Sequence, residues 1–308
     1  MKKIKNLPIL HFMKNIIVSI LCALIPISKY RKRSRNFLKG MSFYKIIYLI
    51  KLYFFSYYEK KYGKKYFLNL KPRKEKIIVS LTTYGTRAFK INYTIRSLLF
   101  QKTKPDKIIL WLDEKEFNKN NLPENIKYFN NLIDIRFCPN YRSYKKIIPT
   151  LKEHPNDLII TADDDIIYPD YWIGGLYNAY KTNKTKVYCY EIWKNGFETF
   201  NFPIIGTGCG ILLKKEFLTK DILDWKLISK LCPTDDDLFI SYLLHKNNKK
   251  LVQLKKRKRR FFFYRNWLLS YFRQSSLGEI NLAKETREKR FTKFKNFIKK
   301  DLQNLKTL

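Results

Sequence analysis

The sequence predicts an α/β protein with a mostly parallel, Rossmann-like sheet flanked by helices, and with a basic helical extension at each end. Three observations carry this. Short apolar runs of strand length alternate with stretches whose apolar residues recur at three- and four-residue spacing. Turn-forming residues punctuate the alternation. The chain has 308 residues, 45% hydrophobic and 16% aromatic, enough to bury a substantial core and to exclude disorder for its bulk.

The elements follow in order from Lys76, where Lys76–Leu81 reads KIIVSL and is broken by a loop containing Gly85. Ile91, Ile95, Leu98 and Leu99 then mark one helix face, which Pro105 ends. Apolar runs at Ile108–Leu112, Ile133–Cys138 and Leu158–Ala162 predict three more strands, with a helical stretch at Ile147–Lys152 before the last. Strands alternating with helices make a parallel sheet covered on both faces, and ligands of such sheets sit beyond the strands' carboxyl ends. Boundaries are expected near Pro72 and Lys255, dividing the chain into a basic, apolar-patched segment 1–72, an α/β domain 73–254 and a basic, aromatic C-terminal region 255–308.

Sixty-three basic against 26 acidic residues leave a net charge of +37, which points to anionic partners, although part of it reflects a Lys-, Asn- and Ile-rich composition. The apolar run Asn15–Ser28 has 14 residues and would span only about 21 Å as a helix, against roughly 30 Å of hydrocarbon. Lysines precede it and Arg31, Lys32, Arg33 and Arg35 follow, a pattern suited to the surface of an anionic bilayer. Tyr44–Tyr58 reads either as a second such helix or as one packed on the core. Lys255–Arg260 is an unbroken cationic run followed by Phe261, Phe262, Phe263, Tyr264 and Trp267, suited to a membrane interface or to stacking on single-stranded nucleic acid. Phe291, Phe294 and Ile298 predict an amphipathic C-terminal helix. Five cysteines without a CxxC pair and three histidines give no zinc-site spacing; the thiols are expected buried and reduced.

The chemistry concentrates in aspartates. Leu158–Ala162 runs directly into Asp163, Asp164 and Asp165, whose burial unpaired would be costly. On an extended backbone Asp163 and Asp165 share one side and Asp164 takes the other, so the first and third could share a hard divalent ion; the alternative is a solvated acidic turn. Downstream, Gly206, Gly208 and Gly210 enter an apolar run without the GK[ST] of a phosphate loop, as a bend or as a close-approach surface. Asp235, Asp236 and Asp237 begin a helix with Thr234 as its expected cap, an arrangement the helix dipole alone would favour. His245 closes that helix and is expected to offset the dipole rather than to bind metal.

Strand-DDD-apolar-apolar-Tyr-Pro resembles the DxD motif of GT-A glycosyltransferases, particularly the bacterial family-2-like enzymes of surface polysaccharide, capsule and lipooligosaccharide synthesis. Ser80–Arg87 (SLTTYGTR) resembles their first-strand nucleotide loop, and Ser143–Pro149 (SYKKIIP) the lysine-bearing helix start before DxD. The similarity covers about residues 76–254. It implies a GT-A fold, a nucleotide diphosphate sugar donor, UDP rather than GDP, and Mn2+ or Mg2+. By position, Thr82, Arg87, Asp113, Lys146, Asp163 and Asp164 would contact the donor, with Asp163 and Asp165 on the metal. Lys146 could equally be a solvated helix lysine. Asp236, with Asp237 second, would be the base that deprotonates the acceptor, which predicts inversion; on a retaining enzyme of the same fold, Asp236 would bind the acceptor instead. The acceptor would be a glycan or lipid-linked chain at the cytoplasmic face of the bacterial inner membrane, with the enzyme peripheral on an anionic surface and no nucleic acid involved. The competing expectation is a basic nucleic-acid-binding protein working through the C-terminal Lys/Arg-aromatic region, in which Asp163 and Asp165 have no role.

Overall fold

The computed structural model describes residues 13–20, 43–193, 200–255 and 284–306. The apolar run beyond residue 20, the basic cluster Arg31–Arg35, and most of the cationic and aromatic stretch from Lys255 to Leu269 lie outside the described residues. The described residues fall into two compact units, one of 13–20 and 43–61, the other of 62–193, 200–255 and 284–306.

In the first unit, α1 covers 13–20, α2 Phe43–Tyr53 and α3 begins at Phe55, running to Tyr62. Leu52 and Phe55 are buried, whereas Ile47, Phe54 and Tyr57 are exposed. Among the described residues no helix is long and apolar enough to cross a membrane.

The second unit is built on a seven-stranded sheet, ordered β3-β2-β1-β4-β8-β5-β9. Its strands are β1 (Ile77–Thr82), β2 (Lys107–Asp113), β3 (Asp134–Cys138), β4 (Leu158–Ala162), β5 (Val187–Cys189), β8 (Ile211–Leu213) and β9 (Leu251–Gln253). A two-stranded sheet pairs β6 (Ile192–Trp193) with β7 (Ile204–Ile205). β1 runs parallel to both β2 and β4, with Ser80 opposite Ile109 on one side and Thr161 on the other. Every residue of β4 is buried, and all of β1 but its last, as central parallel strands require. Their two fully buried polar members are satisfied: Ser80 Oγ lies 2.7 Å from Thr150 Oγ1, and Thr161 Oγ1 donates to the Thr207 carbonyl.

Between the strands lie α4 (Asn92–Leu99), α5 (Glu124–Lys127), α6 (Ile148–Glu153), α7 (Trp172–Thr182), α8 (Trp225–Leu231) and α9 (Asp236–Lys246). Ile91, Ile95, Leu98 and Leu99 are fully buried, as their spacing predicts. The final helix, α10 (Lys284–Lys306), packs Phe294 against Phe239 and Tyr242 of α9. It is also tied there by Asp301, which receives a hydrogen bond from Tyr242 and sits 2.7 Å from Lys246.

The strand order positions the site. From β1 the chain moves to β2 and β3 on one side, then returns to β4 on the other. The loops leaving β1 and β4 therefore part at their carboxyl ends, and a crevice opens between them. Thr83–Arg87 and Asp163–Asp165 occupy those two loops. The sheet departs from an all-parallel one where β8 inserts antiparallel between β4 and β5, and this carries the glycine-rich turn back to the same crevice.

Candidate active site

β4 ends at Ala162, so Asp163–Asp165 lie in a turn and strand alternation does not apply to them. The alternation expected to put Asp163 and Asp165 on one side therefore does not operate, and any shared ion would have to be held by the turn. Instead each carboxylate is distributed to a cation by the turn. Asp164 is 6% exposed, accepts 3.1 and 3.0 Å hydrogen bonds from Arg87 Nε and a further one from Arg87 Nη2, and receives the Thr83 hydroxyl at 2.6 Å. Thr94 Oγ1 holds its carbonyl at 2.9 Å. Arg87 also reaches Asp165, at 3.2 Å. Although burial opposes its charge, Asp164 and Asp165 hold the guanidinium above its usual range.

Asp163 goes elsewhere. Its Oδ1 lies 2.6 Å from Lys146 Nζ, which also sits 3.1 Å from Asp236 Oδ2. Lys146 is only 3% exposed and is therefore no solvated helix lysine. Burial works against its charge, but Asp163 and Asp236 outweigh it and raise the ammonium pKa. A 3₁₀ turn, Arg142–Lys146, aims Lys146 at the crevice and leads into α6.

The glycine segment is a tight turn rather than a strand. Cys209 N and Gly210 N bond back to the carbonyls of Gly206 and Thr207, and Gly210 takes φ +108°, open to glycine at no steric cost. A Cβ at Gly208 would overlap the Asp163 carboxylate, so only glycine lets this backbone pass the ion pair. The Tyr168 hydroxyl pins the turn, donating to the Gly208 carbonyl at 2.6 Å while accepting from Asp163 N at 2.7 Å.

Thr207 completes the cluster. Its hydroxyl lies 2.7 Å from Asp236 Oδ2 and 2.6 Å from Asp237 Oδ1, and its N–H donates to Asp237 Oδ1 at 2.7 Å. α9 begins at Asp236 and not after Thr234, because the Thr234 hydroxyl is engaged by the Asp235 carboxylate at 3.1 Å. The two neighbouring aspartates differ sharply. Burial opposes ionisation of Asp236, but Lys146 and the Thr207 and Ser143 hydroxyls hold its pKa below the usual value. Asp237 has no such ion pair; burial and the Asp236 charge push it up to about 7.

The remaining candidates line the rim. The Thr82 hydroxyl donates to the Trp111 carbonyl at 2.8 Å, and it is the neighbouring Thr83 that reaches Asp164. Asp113, at the end of β2, is buried and accepts from Lys115 N at 2.9 Å. Lys145 is 3% exposed beside the charges of Asp113, Cys138, Glu116 and Asp164, and burial depresses its pKa. His245 is exposed and stacks on Phe202, remote in role from the carboxylates. Cys138, Cys189 and Cys232 are free and buried, as expected of reduced thiols. The residues not singled out from sequence are Thr83, Thr94, Tyr168 and Thr207. Thr83 and Tyr168 fall inside the family-like stretches but carry no charge to mark them, and only the fold brings Thr83 and Thr207 to carboxylates and Thr94 and Tyr168 to the backbone that holds them.

Five carboxylates, at 163, 164, 165, 236 and 237, thus face two directly paired cations, Arg87 and Lys146. The surplus shows at Asp165, which burial and the charges of Asp164 and Asp163 push up to about 6. Asp163 and Asp165 present hard oxygen donors near excess negative charge, which suits Mg2+ or Mn2+. No group of three or more His, Cys, Asp or Glu stands close enough to enclose a metal among the described residues.

No protein-family model and no curated protein matches the sequence. The likenesses found are structural. A mannosyltransferase from Pyrobaculum calidifontis, solved in complex with GDP-Man and Mn2+, shares 11% identity at a TM-score of 0.43, over 80% of this chain and 67% of that one. A cytidylyltransferase from Leptospira borgpetersenii shares 12% at 0.40, over 71% of this chain and 97% of that one. A 4-diphosphocytidyl-2C-methyl-D-erythritol synthase shares 11% at 0.40, over 65% and 97%.

Proposed function

We propose that the protein is a metal-dependent glycosyltransferase that moves a hexose from a UDP-sugar to a glycan or lipid-linked acceptor in bacterial surface polysaccharide or lipooligosaccharide synthesis, with inversion. The observation that carries this reading is the carboxylate surplus at the crevice where the loops of β1 and β4 part. Asp165 and Asp163 would hold Mn2+ or Mg2+, with Asp113 and Thr83 at the nucleotide end. Bound there, the ion would supply positive charge to the diphosphate as the sugar–oxygen bond breaks. Arg87 fixes Asp164 and Asp165 against the β1 loop, and Lys146 fixes Asp163 against α9.

Of the two candidate bases, the environments favour Asp237. Asp236 is held ionised by Lys146 and so is a weak proton acceptor, whereas a carboxylate raised to about 7 is matched to proton transfer near neutral pH. The basic segments at the two ends of the sequence support a place at the cytoplasmic face of the inner membrane, beside a lipid-linked acceptor.

Calorimetry tests the reading. UDP should bind only with Mn2+ present and more tightly than GDP, and Asp165→Ala should abolish that binding. Binding indifferent to metal and to Asp165, or none to either nucleotide, would overturn it. Gly208→Ala offers a second check in the same experiment. Its methyl group would drive the Asp163 carboxylate off Lys146, so metal-dependent UDP affinity should fall at least tenfold, a change of about 1.4 kcal/mol.

A further inference from the structure

A hydroxyl has one hydrogen, yet Thr207 Oγ1 stands within hydrogen-bond distance of two carboxylate oxygens, 2.7 Å from Asp236 Oδ2 and 2.6 Å from Asp237 Oδ1. With both carboxylates ionised, the one hydrogen would have to be split between them as a weaker three-centre bond. A second proton resolves it: the Asp237 carboxyl donates to Thr207 Oγ1 while the Thr207 hydrogen points at Asp236. We propose that Thr207 relays a proton between Asp237 and Asp236, so that the two carboxylates take up one proton as a single unit.

The step balances at every oxygen. As the proton leaves Asp237 Oδ1 for Thr207 Oγ1, the hydroxyl's own proton passes to Asp236 Oδ2. One O–H bond forms and one breaks on the threonine, and no charge accumulates there. The surroundings rest the shared proton mostly on Asp237 and make Asp236 its minor site. Lys146, from the 3₁₀ turn, favours the ionised form of Asp236, and the Ser143 hydroxyl acts in the same direction. Asp163, beyond β4, lies on the far side of Lys146, and the Cys209 thiol feels both Asp163 and Asp237. The Thr207 N–H, donating to Asp237 Oδ1 at 2.7 Å, and Ser241 Oγ, donating to the Asp237 carbonyl at 2.6 Å, fix the second aspartate in place. Thr207 is itself fully buried, and its carbonyl is tied to Thr161 of β4, so the hydroxyl is held between its partners by the sheet.

The proton sharing stands on this geometry alone; its use in catalysis, where Thr207 is a positioning residue, rests on the function proposed above. Carbon-13 NMR of aspartate-labelled full-length protein, free of nucleotide, tests it, with Asp236→Asn and Asp237→Asn assigning the carboxyl signals. In the native protein both carboxyl carbons should move through one common midpoint near 7. In Thr207→Val only Asp237 should move in that range, and Thr207→Ser should restore the common midpoint. A native titration in which Asp237 moves alone, or a common midpoint that survives Thr207→Val, would overturn the relay. Should the valine variant fail to fold, the native titration decides by itself. The result does not depend on UDP binding, so failure of the relay and failure of the transferase reading are told apart. With turnover in hand, Thr207→Val should lower kcat at least tenfold at unchanged donor KM and flatten the alkaline rise of the pH profile, and serine should rescue both.

Discussion

Arg87→Met is expected to destabilise the protein by about 3 to 5 kcal/mol, because removing one partner of a buried ion pair leaves an uncompensated charge in the interior. Asp164 is 6% exposed and, once the guanidinium is gone, keeps one direct side-chain partner, the Thr83 hydroxyl, with Asp165 adding like charge and Lys145 acting only through space. Chemical denaturation should show a lower midpoint with an unchanged slope, since the same surface is exposed on unfolding. The double variant Arg87→Met/Asp164→Asn should recover most of the loss, because the stranded charge and not the missing contact is what costs stability. A single variant that stays within 1 kcal/mol of native protein would mean that Asp164 takes a proton, or that water reaches it, and the account of the crevice would need revision. Arg87→Lys should fall between the two, since one ammonium cannot reproduce the fork by which Arg87 grips Asp164 through Nε and Nη2 together.

The sequence carried the first half of the sheet well and the second half poorly, for a physical reason. β1, β2 and β4 are runs of five to seven residues buried almost throughout, so their apolar character shows without knowledge of their neighbours. β5, β8 and β9 have three residues each and β6 and β7 have two, too short for any periodicity to register. The charged members of the site stood out because carboxylates following an apolar strand are conspicuous. Their assignment to partners did not. Grouping Asp163 with Asp165 assumes a strand that continues past Ala162, whereas the turn gives Asp164 and Asp165 to Arg87 and Asp163 to Lys146. Likewise Thr82 and Thr83 cannot be told apart in sequence. Which of them faces the crevice depends on where the strand ends, and pairing of Thr82 with the Trp111 carbonyl leaves Thr83 for Asp164. Thr207 is the clearest case, since a lone threonine between glycines has no chemical signature until β8 folds back beside β4 and brings it to α9.

Stability should fall as pH rises from about 4 to about 7, the reverse of the usual behaviour of carboxylates in folded proteins. Asp237 is the larger cause, and Asp165, pushed up to about 6, adds to it in the same direction at lower pH. The Asp237 pKa is pushed to about 7 in the folded state, from an ordinary value of 3.8. Between those values the folded protein holds a proton that the unfolded chain has released, so rising pH favours unfolding throughout the window. The contribution is fully present below the unfolded value and lost as pH passes the folded one. Asp236 acts in the opposite sense: its lowered pKa adds stability that is retained above the usual carboxylate range and lost only in more acidic solution. Lys146, raised in the folded state, matters only at strongly alkaline pH and leaves the window untouched. Denaturation midpoints measured from pH 4.5 to 8 should therefore decline through the neutral range. Asp237→Asn should remove the decline above pH 6, where Asp165 has already ionised, and at pH 8 the variant should be more stable than the native protein, because it abolishes a charge beside Asp236 without altering the side chain's size. A profile flat above pH 6 in native protein, or a decline there that the asparagine variant retains, would show that Asp237 is ionised throughout, and with it would go the case for Asp237 as the base.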